Sequence, residues 1–180
     1  MHRKQILHLL QDYNPSTDQE IQYKKQMTQF IIDHPYCLQR SCLDGHITAS
    51  AWVVNSTNTH FLLLHHKKLN EWFQPGGHAD GEADLLNVAL KETYEETGLP
   101  EIKVLLDGIF DIDIHEIGTY KGIPAHLHYD VRFLLQATND TLTKNEESLD
   151  LRWFSKNAET IPNKKPSIMR MYTKWIDIKR

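Results

Sequence analysis

The chain predicts an α/β fold, a mixed sheet covered by helices, and three observations predict it. Residues 46–54, 60–65, 102–116, 125–137 and 151–155 carry the β-branched, aromatic and alternating patterns of strands. Helical patterns precede these strands, interrupt them and follow them, which suits a sheet with helices on its faces. A length of 180 residues with 40% hydrophobic content suits one domain with a full core.

The elements follow in order. Residues 1–13 read as a short helix, broken by Asn14-Pro15-Ser16. Thr17 with Glu20 forms a capping box for a second helix that ends before Pro35. HITASAWVV at 46–54 and HFLLLH at 60–65 read as strands, with Asn55 to Asn58 turning between them. Trp72-Phe73-Gln74-Pro75 leads into a glycine turn at Gly76 and Gly77, and that turn runs into a helix stopped by Gly98. On this helix Leu86, Ala89, Leu90, Thr93 and Thr97 form the inward stripe. Segments 102–116 and 125–137 are extended, 139–150 is a polar loop and 151–155 is a short strand. Asn163-Lys164-Lys165-Pro166 precedes a final helix with Ile168, Tyr172, Trp175 and Ile176 inward.

The segment QPGGHADGEADLLNVALKETYEETGL, residues 74–99, carries the chemistry. Glu92, Glu95 and Glu96 stand at i, i+3 and i+4 and share a helix face. Three carboxylates ~5–6 Å apart repel one another, by about 3 kcal/mol for each close ionised pair at an effective dielectric near 20. A divalent cation relieves that repulsion, and carboxylate oxygens are the ligands Mg²⁺ and Mn²⁺ prefer. Charge clusters are most often solvated faces. The glycines upstream tip the balance away from that reading here.

The segment resembles the Nudix box, the signature of the Nudix hydrolases: Gly, five residues, Glu, seven residues, then Arg-Glu-aliphatic-x-Glu-Glu-x-Gly-aliphatic. Counted from Gly77, the matches are Gly77, Glu92, Glu95, Glu96, Gly98 and Leu99; the departures are Ala83 for the first Glu, Lys91 for Arg and Thr93 for the aliphatic. Glu82, one residue early, substitutes for the missing acid if the loop is re-phased, and Glu146 and Glu147 are loop acids of the kind Nudix hydrolases also recruit. The resemblance implies an α/β/α sandwich with a mixed sheet over residues 41–180, an N-terminal helical extension over 1–40 and a C-terminal helix. It implies metal-dependent hydrolysis of a nucleoside diphosphate derivative, NDP-X, with Mg²⁺ or Mn²⁺ on Glu92, Glu95 and Glu96. Glu92 and Glu96 then serve in catalysis, with Lys91 in place of the Arg that orients a glutamate. Lys supplies charge there but no planar fork. Gly76, Gly77, His78 and Trp72 fall on the substrate side. Ile114 stands where ADP-ribose hydrolases of the family tend to have Pro. Two alternatives share the fold: an isopentenyl diphosphate isomerase-like enzyme, which requires a pocket-facing Cys, and a non-catalytic nucleotide-sensing Nudix domain.

A second constellation comes from strand alternation. Asp111, Asp113 and His115 share one face, opposite Phe110, Ile112 and Ile114; His126, His128, Asp130 and Arg132 share another, opposite Leu127, Tyr129, Val131 and Phe133. A long hairpin would set these polar faces side by side, either as the wet side of an antiparallel sheet or as a pocket wall. As a wall, His126, His128 and Arg132 contact substrate phosphate or ribose, or the two histidines hold a second metal. His34, Cys37, Cys42 and His46 make a further zinc set, of no standard spacing.

Composition bounds the partners. Twenty Lys and Arg against 24 acids leave a net charge of −4, which argues against a nucleic-acid polymer but not against a small phosphorylated substrate. No run of 18 apolar residues is present, so no membrane span is expected, and MHRKQILHLLQDY does not read as a secretory signal. Two cysteines are too few for a disulfide framework and fit a reducing cytoplasm. A homodimer is the candidate assembly.

Overall fold

The structure, a computed structural model, describes residues 2–119, 122–146 and 148–178. Its elements are α1 (His2–Asp12), α2 (Asp18–Asp33), β1 (Gly45–Val54), β2 (His60–His66), β3 (Glu71–Phe73), β4 (Gly76–His78), α3 (Leu85–Thr97), β5 (Ile102–Val104), β6 (Asp111–Ile117), β7 (His126–Ala137), β8 (Ser148–Ser155), a 3₁₀ turn at Ala158–Thr160, and α4 (Pro166–Asp177). The strands join in one sheet along β3-β2-β1-β7-β5, with β4 on β1, β6 on β7 and β8 on β2. Thr48 reaches Asp130 and Asn55 reaches Gln136, so β1 and β7 run in the same direction, whereas the other pairs are antiparallel. The sheet is therefore mixed, as expected. Every residue of β1 is buried, the mark of a strand covered on both faces.

The residues group into two compact units: Met1–Ser50, Gly76–Ala89 and Asp107–Phe133 in the first, and Ala51–Pro75, Leu90–Leu106 and Leu134–Arg180 in the second. Strands β1 and β7 and helix α3 continue from one into the other.

In the first unit α1 buries Ile6 and Leu10, and α2 buries Met27, Phe30 and Ile31, each set at helical spacing. The Thr17 hydroxyl accepts the Glu20 N–H at 3.2 Å. The fully buried Glu20 carboxylate returns to Ser16, accepting its N–H at 3.1 Å and its hydroxyl at 2.7 Å, and also takes the Tyr13 hydroxyl. Phe30 stacks on Tyr129 of β7 at 3.9 Å. The N-terminal helices are thus integral to this unit. The expected glycine turn is instead strand β4, with Thr48 opposite His78, Ala49 opposite Gly77 and Ser50 opposite Gly76. Gly76 is required by proximity: a Cβ there would stand 2.3 Å from Ser50 Cβ and 2.8 Å from the Ala49 carbonyl oxygen.

In the second unit Trp52 stacks on Phe61 at 4.5 Å, and the Trp175 ring lies 5.7 Å from Phe61. The 55–58 turn is held by Asn55, whose side-chain oxygen accepts the N–H groups of Thr59 and His60 at 2.8 and 3.0 Å. Asn58, at φ 54, accepts the Trp175 indole N–H at 2.6 Å. Helix α4 buries Ile168, Met171 and Trp175, while Ile176 is 39% exposed. The inward face therefore follows the i, i+3, i+7 spacing through Met171, and Ile176 leaves it. Residues 102–116, expected as one extended run, divide into β5 on the end of β7 and β6 further along it.

Candidate functional site

Helix α3 is capped by Asp84, whose carboxylate accepts the Asn87 N–H at 3.1 Å. Gly98 ends it at φ 66, where a Cβ would meet Thr143 Cβ at 2.7 Å. Thr143 N–H bonds to the Thr97 carbonyl, and the Asn145 amide bonds to the Glu95 carbonyl, so the 139–146 loop is tied to the helix end. The buried stripe differs from the expected one. It runs through Leu85, Val88, Ala89, Thr93, Glu96 and Thr97, while Leu86 and Leu90 are half-buried. The stripe is rotated toward the acids, and Glu96 is only 8% exposed. Glu92 is half-buried; Glu95 is exposed and faces Lys91 at 3.9 Å. Among the described residues the three carboxylates are not gathered into a ready-made three-ligand cluster. They form a graded face, from a nearly buried acid to a solvated one.

Upstream of the helix, Ala83 is buried and Glu82 is exposed, with Asp84 N–H 3.4 Å from the Glu82 carboxylate. The loop therefore turns Ala83, not Glu82, to the inside. Glu146 is exposed, and Glu147 lies outside the described residues. Trp72 stacks on His65 at 4.9 Å, meets Phe154 edge-on at 5.3 Å and lies under the Arg152 guanidinium at 5.6 Å. It also borders a hollow of about 220 Å³ with Asn70, Glu71, Asn163, Lys164 and Lys165.

The two polar strand faces meet as expected: Asp111 opposes Arg132, Asp113 opposes Asp130, His115 opposes His128 and Ile117 opposes His126. Arg132, named from sequence as a substrate contact, is only 2% exposed and committed to three carboxylates: Asp130 at 2.7 Å, Asp111 at 3.0 Å and Asp113 at 3.3 Å. Burial alone would lower its pKa; Asp113, Asp130 and Asp111 outweigh burial and raise it. Asp130 also accepts the hydroxyls of Thr48 at 2.9 Å and Ser50 at 2.7 Å. This half of the polar face is a satisfied buried network, and its physical reason is the density of acids that one guanidinium fork can serve.

The other half is a cluster of imidazoles. The His46 ring centroid lies 4.9 Å from His78, 4.8 Å from His128 and 4.9 Å from His126; His78 and His128 are 4.9 Å apart. His46, His78 and His128 each present a ring nitrogen within 4.8 Å of the other two. Burial, reinforced by the neighbouring rings, pushes His78 down to about 4 and His128 down to about 2; burial also lowers His46. The His46 nitrogens and His128 Nε2 are buried with no partner at full hydrogen-bond geometry, and the backbone of Cys42 is the polar group that acts on the His46 ring. Arg40, whose charge acts on His46 and His78, is held by Asp80 at 2.6 and 2.7 Å.

The sequence pointed to His78, His126 and His128 separately but placed His46 with Cys37 and Cys42. The structure parts that set. The ring of His34 bonds to the Phe30 carbonyl and Asp44, Cys37 is buried as a free thiol, and His46 turns into the imidazole cluster. The available signal was the polar alternation His46, Thr48, Ser50 along β1. The histidines lie in the first unit; Glu92, Glu95 and Glu96 lie in the second.

A family model described as NUDIX domain matches residues 45–176, and the chain belongs to that family. The m7GpppN-mRNA hydrolase NUDT17 of Xenopus laevis is 33% identical over 106 residues, covering 55% of this chain and 35% of that relative. The chain thus spans about a third of the length of that curated relative. Among solved structures, a C. elegans Ap4A hydrolase in a binary complex is similar with a TM-score of 0.58 at 18% identity, over 72% of this chain and 94% of the other. A UDP-X diphosphatase matches with a TM-score of 0.54 at 14% identity, over 97% of this chain and 92% of the other. The last two likenesses bear on the fold, and the third takes in the N-terminal helices.

Proposed function

We propose that the chain is a metal-dependent pyrophosphohydrolase that cleaves the diphosphate linkage of a nucleoside diphosphate derivative in the cytoplasm. The observation that carries this reading is the graded acid face of α3, Glu92, Glu95 and Glu96, on a helix fixed at both ends by Asp84 and Gly98. The donor set fits Mg²⁺ or Mn²⁺. It consists of carboxylate oxygens only, and such ions are ordinarily held by one or two carboxylates together with water and substrate phosphate, which does not require all three acids to converge. Bound there, the ion would neutralise the diphosphate charge that repels an attacking water.

The residues divide the work by burial. Glu96, nearly buried, is the fixed ligand, because few rotamers remain open to it. Half-buried Glu92 is a second ligand or the base. Exposed Glu95, paired with Lys91, is the adjustable member. The names of the three relatives have a nucleotide phosphoanhydride in common, which supports the substrate class. The isomerase-like alternative loses support because Cys37 and Cys42 lie between α2 and β1 rather than on a strand. The test is a screen of nucleoside diphosphate derivatives with Mg²⁺ and Mn²⁺, following phosphate or nucleotide release. Metal-dependent turnover of one of them, abolished by chelation, is the expected result. No turnover with any substrate or metal would favour the non-catalytic sensor.

A further inference from the structure

We propose that His46, His78 and His128 form a binding site for one zinc-class divalent metal ion, built from nitrogen donors without a residue of α3. The three donors come from three strands, β1, β4 and β7, and converge without any residue of helix α3. Two further observations point to a ligand. The His46 nitrogens and His128 Nε2 are buried with no partner at full hydrogen-bond geometry. Buried polar atoms are nearly always paired, and three orphans in one cluster call for a shared partner. A cation that takes one nitrogen from each ring supplies a partner to His46 and to His128, and the second His46 nitrogen is left to the Cys42 backbone.

The class of metal follows from the donors. Neutral imidazole nitrogen suits Zn²⁺, Co²⁺, Ni²⁺ and Cu²⁺, and disfavours Mg²⁺ and Ca²⁺. Zn–N bonds of about 2.0–2.1 Å imply nitrogens roughly 3.3 Å apart in a tetrahedron, so the rings close inward by on the order of 1 Å on binding. Their flanking groups are arranged for this. His126, 4.9 Å from His46, donates Nδ1–H to the Pro124 carbonyl at 2.9 Å, and His115, 5.5 Å from His128, donates to Asp113 at 3.1 Å. These bonds hold the two flanking rings in place beside the cluster. Arg40 is the opposing charge, and Asp80 neutralises it.

The test uses the full chain, stripped with a chelator and titrated with Zn²⁺ alone and with Co²⁺ alone. The expected result is one Zn²⁺ per chain, retained in excess Mg²⁺, and visible Co²⁺ absorption of tetrahedral intensity. The combined variant E92Q/E95Q/E96Q should keep that ion, and H46Q/H128Q should lose affinity by at least about 100-fold. Should H46Q/H128Q fail to fold, ¹⁵N shifts of the wild-type imidazoles on adding Zn²⁺ decide the matter: they move if the rings are ligands. An ion lost from the glutamate variant but kept by the histidine variant would overturn the proposal, as would no Zn²⁺ binding by the wild-type chain or imidazole shifts that do not respond.

Discussion

The acid face of α3 and the imidazole cluster of the strands are two ways of gathering side chains of metal-ligating type. Glu92, Glu95 and Glu96 are placed by a single periodicity. A helix repeats every 3.6 residues, so spacing alone sets them on one side. His46, His78 and His128 come from three strands, and only the pairing of β4 on β1 and the approach of β7 bring their nitrogens within 4.8 Å. The donors differ in kind as well. The acids offer oxygen and are graded from buried to exposed; the imidazoles offer nitrogen, with His46 buried and His78 and His128 half-buried. A local repeat produces a solvated, hard-donor face suited to exchangeable ions. Long-range pairing produces a partly enclosed cluster of softer donors.

The largest effect is expected from the buried ion network that shares β6 and β7 with the imidazoles. Arg132→Met leaves Asp111, Asp113 and Asp130 buried around no cation, and is expected to cost about 3–5 kcal/mol of stability by chemical denaturation. Unchanged stability with a raised KM would instead return Arg132 to the substrate.

On the acid side, Glu96→Gln keeps shape and removes charge. It should lower kcat/KM by roughly 10²–10³-fold, the scale of one lost preorganised electrostatic contact, with a change in Tm of only a few degrees. Equal turnover by the variant, or full activity in EDTA, would sink the metal–glutamate mechanism and leave the histidines as the more interesting region.

Protons separate the two regions next. His78 and His128 have folded pKa values of about 4 and about 2, against 6.5 for the free side chain. Between pH 6.5 and those values the unfolded chain binds protons that the folded, metal-free chain does not. Stability therefore rises with pH: the contribution is complete above pH 6.5 and is lost as pH falls toward 4. The slope is at most about 1.4 kcal/mol per pH unit for each ring. Urea titrations at pH 7 and pH 5 measure it, and His78→Gln should flatten the dependence. Equal stability at the two values would mean that the rings are solvated.

The same contrast explains what the sequence revealed. The α/β class, the capping box at Thr17 and Glu20, and the matched faces of β6 and β7 were legible because each rests on local period or cap chemistry. The reading of Gly76 and Gly77 as a turn failed because a close strand approach demands glycine just as a turn does. Met171 was overlooked because Ile168, Tyr172, Trp175 and Ile176 already make an i, i+4, i+7, i+8 stripe, whereas the buried face turns to i, i+3 and i+7 and leaves Ile176 outside. His46 was grouped with the nearest cysteines because sequence proximity was the only guide, while its partners lie 32 and 82 residues away, at His78 and His128. Arg132 was taken for a ligand contact because a strand face shows polarity but not whether its charges are already matched.

The smallest effect tests the exposed edge of the acid face. Lys91 meets Glu95 at 3.9 Å with both side chains more than half exposed. Exposed i, i+4 pairs contribute about 0.3–0.5 kcal/mol in helices, so Lys91→Ala should barely move the unfolding midpoint and that little should fade in salt. Its kinetics carry the information. If Lys91 only screens Glu95, kcat falls less than about threefold and the loss shrinks with added salt. If it orients a glutamate in the active complex, kcat falls tenfold or more. Lys91→Arg, which restores the planar fork that the family pattern carries at this position, should then match or exceed the wild type. A large kcat loss that neither salt nor the arginine variant alters would contradict both roles and make the ammonium itself a contact to substrate phosphate.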